Sequence, residues 1–350
     1  MLSLIDRLEK EKILTAAEFV TLLENRDEAR DYLFARARAV RDSVFGQDIF
    51  IRGLLEFTNY CKNDCLYCGI RRGNRAVSRY RLTPEEILER CALGFELGFR
   101  TFVLQGGEDP FFTAPKVASI VREIKSAFPG VALTLSLGER SRETYELWRK
   151  AGADRYLLRH ETRNEEHYSA LHPPEMSLAS RLSCLFALKE IGYQVGCGFM
   201  VGSPSQTLAN LAEDLLFVKE LSPHMVGIGP FIPHRDTPFR DCPAGDVELT
   251  LFLLGLIRLM EPLALLPATT ALGSLDPLGR EKGVMAGANV LMPILTPPGA
   301  REKYLLYDNK ICVGDAAETC RFCVQRRMEG IGRVINVSRG DYPGFAPQSP

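Results

Sequence analysis

The chain has 350 residues, with 43 Lys and Arg against 44 Asp and Glu, and its net charge is −1 at pH 7. This length suits one large barrel domain, and the balanced charge makes nucleic acid an unexpected partner. Residues 1–19 lack the apolar core of a signal peptide, and charges and prolines interrupt residues 249–272 too often for a membrane span. Ten cysteines in such a chain predict metal ligation in a reducing cytoplasm rather than disulfides.

Short helices are predicted over residues 1–45, with Thr15 as an N-cap. Strand-like and helix-like segments then alternate. Eight strands are predicted, at residues 51–57, 100–105, 131–137, 154–160, 194–201, 224–230, 265–271 and 288–294. Helix starts are predicted at Thr83, Ser141, Ser177 and Thr207, and helix ends at Gly98, Gly152 and Gly192.

This alternation predicts an α/β fold of the (β/α)8 TIM-barrel type. A partial barrel of six strands is the alternative, because the seventh and eighth strands have the weakest patterns. We expect a helical segment at residues 1–45, the barrel at 46–310 and a C-terminal segment at 311–350 that is rich in Gly and Pro towards its end.

Three cysteines follow the first predicted strand at C-x3-C-x2-C spacing: Cys61, Cys65 and Cys68, with the aromatic Tyr67 before the third. Thiolates are soft ligands suited to iron–sulfur clusters, which normally have four of them. Three thiolates leave one iron of a four-iron cluster with an open position for a reactant. A zinc knuckle or unligated thiols are the alternatives, but no matching pair of ligands lies close in the sequence.

Active-site groups of a barrel lie at the C-terminal ends of its strands, and a glycine turn follows the second predicted strand. Residues 105–109 read Gln-Gly-Gly-Glu-Asp, and the two glycines would let the backbone approach a ligand closely. Residues 267–271, Pro-Ala-Thr-Thr-Ala, are predicted at the end of strand seven. Their hydroxyls and amides could bind an anion or a small polar ligand.

Polar residues also alternate along strands three and four. Thr134 and Ser136 share one face of strand three, and Arg155, Leu157, Arg159 and Glu161 share one face of strand four. Buried charges are costly unless they are paired or bind a ligand, so these residues are candidates for the cavity. The alternatives are an internal Arg159–Glu161 ion pair, or charges that point outward between helices.

A second group of three cysteines, Cys312, Cys320 and Cys323, has C-x7-C-x2-C spacing. It predicts a second iron–sulfur site at the barrel surface, with zinc or unligated thiols as alternatives. Cys91, Cys184, Cys197 and Cys242 stand alone in the sequence and are expected to be buried, inert thiols.

The first cysteine motif resembles that of the radical S-adenosylmethionine (SAM) superfamily. Within it, the chain resembles a family of [FeFe]-hydrogenase maturases over about residues 45–325. The segments that carry the resemblance are residues 61–69, 79–87, 103–110, 133–139, 154–162, 225–234 and 267–271. Biotin synthase and methylornithine synthase are similar in fold and in the cysteine loop.

The resemblance implies a [4Fe-4S] cluster whose open iron binds SAM, which is cleaved to methionine and a 5′-deoxyadenosyl radical. The implied cluster ligands are Cys61, Cys65 and Cys68, and the implied SAM contacts are Tyr67, Gln105, Gly106, Gly107, Glu108, Ser136, Glu161 and Arg181. The implied substrate cavity contains Thr134, Arg159, Thr269, Thr270 and Tyr307, and the implied accessory cluster ligands are Cys312, Cys320 and Cys323. Some relatives carry Ser at the position of Gly106, where this chain offers no hydroxyl.

The substrate that the resemblance implies is a small iron complex carrying CO, cyanide and cysteine, which becomes part of the hydrogenase diiron subcluster. Other hydrogenase maturases and an electron donor such as ferredoxin or flavodoxin are the implied partners, with no nucleic acid and no membrane. Arg155 and Arg159 would favour an anionic complex, and a closed barrel would keep a radical away from water. An amino-acid mutase of the methylornithine synthase type is the alternative enzyme, and a scaffold that delivers clusters without chemistry is the alternative outside enzymes.

Overall fold

In the computed structural model, which describes residues 1–345, parallel strands alternate with helices along most of the chain. Residues 346–350, the end of the predicted C-terminal segment, lie outside the described residues. The strands are β1 (Asp48–Ile51), β2 (Gly53–Thr58), β3 (Thr101–Gly106), β4 (Ala132–Ser136), β5 (Arg155–Leu157), β6 (Gln194–Cys197), β7 (Met200–Val201), β8 (Met225–Val226), β9 (Gly229–Pro230), β10 (Val290–Leu291) and β11 (Val334–Asn336). The helices are α1 (Leu2–Glu11), α2 (Ala16–Glu24), α3 (Arg26–Phe45), α4 (Pro84–Glu96), α5 (Ala114–Ala127), α6 (Arg142–Ala151), α7 (Glu165–Leu171), α8 (Leu178–Glu190), α9 (Leu208–Leu221), α10 (Val247–Met260), α11 (Thr270–Leu275), α12 (Gly279–Met285), α13 (Pro298–Arg301) and α14 (Ala317–Glu329).

Six parallel strands form most of the barrel wall, in the order β2-β3-β4-β5-β6-β8. Single parallel bridges complete the ring, joining Met225 to Leu265, Pro267 to Val290 and Ile294 to Leu54. The seventh and eighth positions of the barrel are therefore occupied by short segments at residues 265–267 and 290–294. The predicted (β/α)8 barrel is confirmed, and the closure excludes the six-strand alternative.

The strand predicted over residues 265–271 is wrong in its second half. Leu265 and Pro267 each make one bridge, and helix α11 begins at Thr270. Pro267 has no N–H to donate to a strand ladder, which limits the pairing here. Thr269, in extended conformation, is the N-cap of α11. The two threonines are consequently placed at a helix start above the barrel rather than along a strand.

The predicted strands at residues 194–201 and 224–230 are each divided in two. β6 and β8 belong to the barrel wall, whereas β7 and β9 pair with one another beyond its edge. A Cβ atom on Gly198 would lie 2.0 Å from the carbonyl oxygen of Gly227, so the two chains approach too closely there for a side chain. This close approach shapes the rim of the barrel where the site lies.

The predicted helix signals are confirmed by hydrogen bonds. The side chains of Thr15, Thr83, Ser141, Ser177 and Thr207 each accept a backbone N–H in the first turn of their helix. The predicted helix-end glycines Gly98, Gly152 and Gly192 have positive φ angles of 89°, 114° and 90°. These signals fix where the loops on either side of each strand begin.

The N-terminal helices cover one side of the barrel, where α3 and α1 pack on α10 and α2 packs on α9. Every residue of α10 from Leu249 to Met260 is buried, which accounts for the strongly apolar stretch in the sequence. Among the described residues, no helix is long and apolar enough to cross a membrane. Near the C-terminus of the chain, β11 pairs with β1, which also pairs with β10.

Candidate active site

A cavity of about 380 Å³ lies inside the barrel at the C-terminal ends of its strands. Most of the site residues predicted from the sequence line it, both those of the first cysteine loop and those at the ends of the strands. Those that line it are Cys61, Cys65, Tyr67, Cys68, Gln105, Gly106, Gly107, Glu108, Ser136, Arg159, Glu161, Arg181, Thr269, Thr270 and Tyr307. The first cysteine group and the polar strand ends therefore face one shared space.

Arg79 organises the loop that carries the three cysteines. Its guanidinium donates to the backbone carbonyls of Ile70 at 2.7 Å, Arg71 at 2.6 Å and Asn74 at 3.2 Å, and also to Asn59. Such a fork of donors can satisfy several carbonyls at once, which a lysine cannot do with the same geometry. The loop around Cys61 and Cys68 is consequently fixed from outside the cavity.

Burial controls the protonation of the three thiols. It raises the pKa of Cys68 to about 12 and also raises the pKa values of Cys61 and Cys65. For Cys65, the neighbouring Cys68 and Cys61 raise it further, because thiolates close together repel. Three thiols that are neutral alone and converge on one cavity suit a metal cluster, since a bound metal makes thiols release their protons.

Tyr67, which precedes the third cysteine, is held by a histidine that the sequence did not single out. His172 Nδ1 lies 2.9 Å from the carbonyl oxygen of Tyr168, so this nitrogen carries the proton. The other ring nitrogen then accepts from the Tyr67 hydroxyl, 3.2 Å away. Burial lowers the pKa of His172 to about 3, which keeps the ring neutral.

The glycine turn after β3 packs directly against the cysteine loop. A Cβ atom on Gly107 would lie 2.2 Å from the carbonyl oxygen of Tyr60 and 2.8 Å from Cys61 Cβ. Glu108 follows it, and its Oε1 accepts the backbone N–H of Glu139 at 2.9 Å, while Oε2 lies 3.2 Å from Lys62. The turn thus joins the cysteine loop to the loop after β4.

Arg181 and Glu161 lie on the wall facing the cysteines. Arg181 is buried and donates to Glu139 at 2.7 Å and to the carbonyl oxygen of Arg159 at 3.0 Å. Glu161 has a left-handed backbone, with φ 67°, and its Oε2 lies 3.2 Å from Arg159 Nη2 without the alignment of a hydrogen bond. The internal Arg159–Glu161 pair considered from the sequence is present, and both residues also line the cavity.

Two predicted cavity residues, Thr134 and Arg155, lie elsewhere. They pair in register on β4 and β5 and border a small separate space of about 10 Å³ at the opposite end of the barrel. Arg155 donates there to Asp341 at 2.6 Å, and Thr134 is fully enclosed. The shared face was predicted correctly, but a barrel interior has several layers, and these two residues belong to a lower one.

The cavity wall also holds charged groups that the sequence analysis missed. Lys310 Nζ donates to Glu56 Oε1 at 2.6 Å and to the carbonyl oxygen of Tyr304 at 3.1 Å. Arg280, also on the wall, reaches towards the C-terminal cysteines. The charge of Glu56, between the apolar residues Leu55 and Phe57 of β2, was the available signal. No local pattern points to Lys310, which is far away in sequence.

The second cysteine group is brought together in part. The ligand atoms of Cys312, Cys320 and Asp315 all lie within 4.8 Å of one another, a group that does not include Cys323. Arg280 Nη2 lies 3.7 Å from the sulfur of Cys312, and Arg301 Nη1 lies 3.9 Å from that of Cys320. The structure therefore adds Asp315 to the predicted group.

The isolated cysteines differ in burial. Cys91 and Cys197 are buried, as predicted, whereas Cys184 and Cys242 are partly exposed. For these two, the prediction of burial is wrong. Cys184 lies on α8 at the helix surface, where its sulfur is 3.7 Å from the carbonyl oxygen of Arg140.

Comparison with known proteins matches residues 55–218 to the radical SAM superfamily. The chain is 47% identical to the [FeFe] hydrogenase maturase subunit HydE of Thermotoga maritima over 330 residues, which cover 94% of each chain. It is 29% identical over 312 residues to a 3-methylornithine synthase of Methanosarcina acetivorans, covering 89% of this chain and 86% of the relative.

Solved structures give the same result for the fold. The crystal structure of methylornithine synthase (PylB) matches with a TM-score of 0.83 and 29% identity, over 95% of this chain and 97% of that one. The structure of the maturase HydG matches with a TM-score of 0.84 over 98% of this chain and 77% of that one, at 21% identity. The protein is thus a radical SAM enzyme, and the chain belongs to the radical SAM superfamily and, within it, to the family of the [FeFe]-hydrogenase maturase HydE.

Proposed function

We propose that the protein acts in the maturation of [FeFe]-hydrogenase, using SAM cleavage to modify a small iron complex that carries CO, cyanide and cysteine. The observation that carries the proposal is the convergence of Cys61, Cys65 and Cys68 on a cavity with further polar groups. The similarity to HydE over 94% of the chain supports the pathway.

Cys61, Cys65 and Cys68 would hold the [4Fe-4S] cluster, a role that their chemistry fits. Three sulfur donors and no fourth at this loop leave one iron open. When bound, the cluster and SAM supply reductive cleavage of SAM to methionine and a 5′-deoxyadenosyl radical. Arg79 positions the thiols by holding the loop's carbonyl groups.

Residues next to the cysteines would bind SAM. Gly106 and Gly107 line the cavity beside the cysteine loop and would offer backbone groups to its amino group, and Arg181, whose charge is buried, would attract its carboxylate. The remaining proposed contacts with SAM come from the other polar and aromatic groups of the cavity wall, namely Tyr67, Gln105, Glu108, Ser136 and Glu161.

The far part of the cavity would hold the substrate. Thr269 Oγ1 and Arg159 Nε are buried without a hydrogen-bond partner among the described residues. Together with Thr270 and Tyr307, they form a polar wall that suits an anionic complex. The barrel would shield a carbon radical from water and from side reactions.

A second iron–sulfur cluster at Cys312, Cys320 and Cys323 is part of the proposal. The convergence of Cys312, Cys320 and Asp315 supports a metal site near these residues. None of these three cysteines lines the cavity that holds the proposed SAM-binding groups, which favours an accessory role. We further propose a ferredoxin or flavodoxin as electron donor, other maturases as partners, and the cytoplasm as the location, where ten free cysteines stay reduced.

Reductive cleavage of SAM by the iron-loaded protein tests the proposal. With dithionite and SAM, we expect 5′-deoxyadenosine, which Cys65→Ala abolishes and Cys320→Ala largely retains. Absence of 5′-deoxyadenosine from the wild-type protein at full iron loading would refute the enzyme activity. If both variants are equally inactive, the accessory assignment is wrong.

An amino-acid mutase is the second candidate, favoured by the match to the methylornithine synthase structure over 95% of this chain. Incubation with lysine and SAM separates the two functions. Formation of methylornithine would replace the maturation proposal, whereas cleavage of SAM without this product is expected for the HydE family.

A further inference from the structure

Glu56 has a free carboxylate oxygen on the wall of the cavity. Its side chain is 2% exposed, and one oxygen, Oε1, accepts from Lys310 at 2.6 Å. The other oxygen, Oε2, is shielded from solvent and has no hydrogen-bond partner among the described residues. A buried carboxylate oxygen without a donor is costly, so a donor from a bound molecule would stabilise it.

Glu56 lies on the face of β2 that lines the cavity. On β2, Leu54 and Glu56 line the cavity, whereas Leu55 and Phe57 belong to the hydrophobic core. Glu56 pairs in register with Gln105 of β3, next to the lower edge of the SAM-binding turn. Its partner Lys310 comes from the segment after the barrel, which also contributes Tyr307 to the wall.

The charges on the rest of the wall specify what else the ligand carries. Arg159 and Arg280 line the same cavity, and each has a buried Nε without a partner among the described residues. These guanidinium groups attract an anion, whereas Glu56 requires a hydrogen-bond donor. A ligand with an anionic group and an amino group would meet both requirements.

Resting on the function proposed above, we propose that Glu56 Oε2 is the subsite for the amino group of the substrate. The substrate class is therefore one that carries a free ammonium group together with an anionic group, as an α-amino acid does. Lys310 is a positioning residue, because its ion pair holds one carboxylate oxygen and leaves the other for the ligand. No covalent step is assigned to Glu56.

The test compares two thiol-free probes that differ in this amino group, L-2-aminobutyrate and butyrate. Their binding to the iron-loaded, SAM-bound protein is measured by calorimetry. A charge-assisted hydrogen bond predicts about a ten- to hundredfold preference for 2-aminobutyrate in the wild-type protein. Glu56→Gln should reduce this preference to less than about threefold, mainly because the variant binds 2-aminobutyrate more weakly while its affinity for butyrate changes little.

A second variant controls for the possibility that Glu56→Gln impairs folding. Glu56→Gln leaves the Lys310 charge buried without a carboxylate, whereas the double variant Glu56→Gln with Lys310→Met removes both charges. We expect the double variant to bind both probes equally, with circular dichroism and thermal melting used to verify its fold.

Equal binding of the probes by the wild-type protein, a preference that survives in the folded variants, or no measurable binding of 2-aminobutyrate would each overturn the proposal. The outcome is separate from the function itself, because SAM cleavage by the wild-type protein is measured without either probe.

Discussion

Arg79 shows how one side chain can fix the geometry of the cysteine loop without belonging to it. Its hydrogen bonds to four carbonyl groups connect residues before and after the three cysteines. The loop has little regular structure of its own, so these bonds take the place of a helix or a strand. The affinity for iron is therefore expected to depend on a residue that binds no iron.

Replacement of Arg79 by Met should lower both stability and iron loading. The change retains the apolar stem but leaves several carbonyl groups without donors, at a cost of roughly 2–3 kcal/mol in the free energy of unfolding. Urea denaturation and iron content after reconstitution measure the two effects. Arg75→Met on the same loop is the control, because Arg75 is exposed, and equal losses in both variants would contradict this role.

The cavity residues also show which parts of the site can be predicted from the sequence and which cannot. Spacing predicted the cysteine loop and the glycine turn because both are local features, a few residues long. The Glu56–Lys310 pair joins residues 254 positions apart, which only the folded barrel brings together. Thr134 was misplaced because alternation gives the face of a strand but not the depth of a residue within the barrel.

Among the elements, α4 connects the cysteine loop to the barrel wall through its first turn. Thr83 accepts the N–H of Glu86, and the Glu86 side chain accepts the N–H of Thr83, which together form a capping box. The backbone N–H of Leu82, the residue before Thr83, donates to the carbonyl oxygen of Phe57 near the end of β2. The start of this helix therefore sets where the loop returns to the barrel.

Thr83→Ala should reduce the free energy of unfolding by about 1 kcal/mol, because the first turn of α4 loses its side-chain cap. Thr113 offers a matched control: it is the N-cap of α5 but makes no side-chain cap hydrogen bond. Thr113→Ala should therefore change stability much less in chemical denaturation. A loss of similar size in both variants would show that the cap at Thr83 contributes nothing specific.

Element boundaries followed the sequence well where capping residues mark them, as at Thr15, Thr83 and Ser141. They were least accurate where backbone crowding decides, as at Gly198 and Gly227. Strand seven ended early because Pro267 and Thr269 have local preferences that hydrophobic pattern alone does not reveal.

At the scale of the whole molecule, the C-terminal residues close the lower end of the barrel. Asp341 receives hydrogen bonds from Arg155 at 2.6 Å, Gln194 at 2.7 Å and Arg339 at 2.7 Å. Burial raises the pKa of Asp341, but the hydrogen bonds and charges of Arg339 and Arg155 lower it more, so it lies below the ordinary value. Closure of the barrel is thus linked to the charge of one carboxylate.

Asp341→Asn should destabilise the protein at neutral pH by about 3 kcal/mol, because Arg155 stays buried without its counter-charge. A carboxyl with a lowered pKa in the folded state contributes its full stability above the unfolded pKa, near 4, and loses it as pH falls further. The difference between wild type and variant should thus be constant from about pH 7 to 5 and shrink below about pH 4.

Urea denaturation of both proteins across this pH range measures the difference. Asp241→Asn is the control, since the Asp241 side chain is 90% exposed, and it should leave stability nearly unchanged. A difference that grows on acidification would contradict the assigned ion pair.

The pairing of β1 with β11 has a consequence for synthesis on the ribosome. Asp48 and Val334 are register partners, so β1 leaves the ribosome long before the strand that completes its sheet. The ion pair of Arg155 with Asp341 likewise cannot form until the C-terminal segment has been synthesised. Nascent chains released before residue 334 would have an open barrel floor and an unpaired strand edge, on which chaperones act. The lower end of the barrel is therefore expected to be completed only after translation ends.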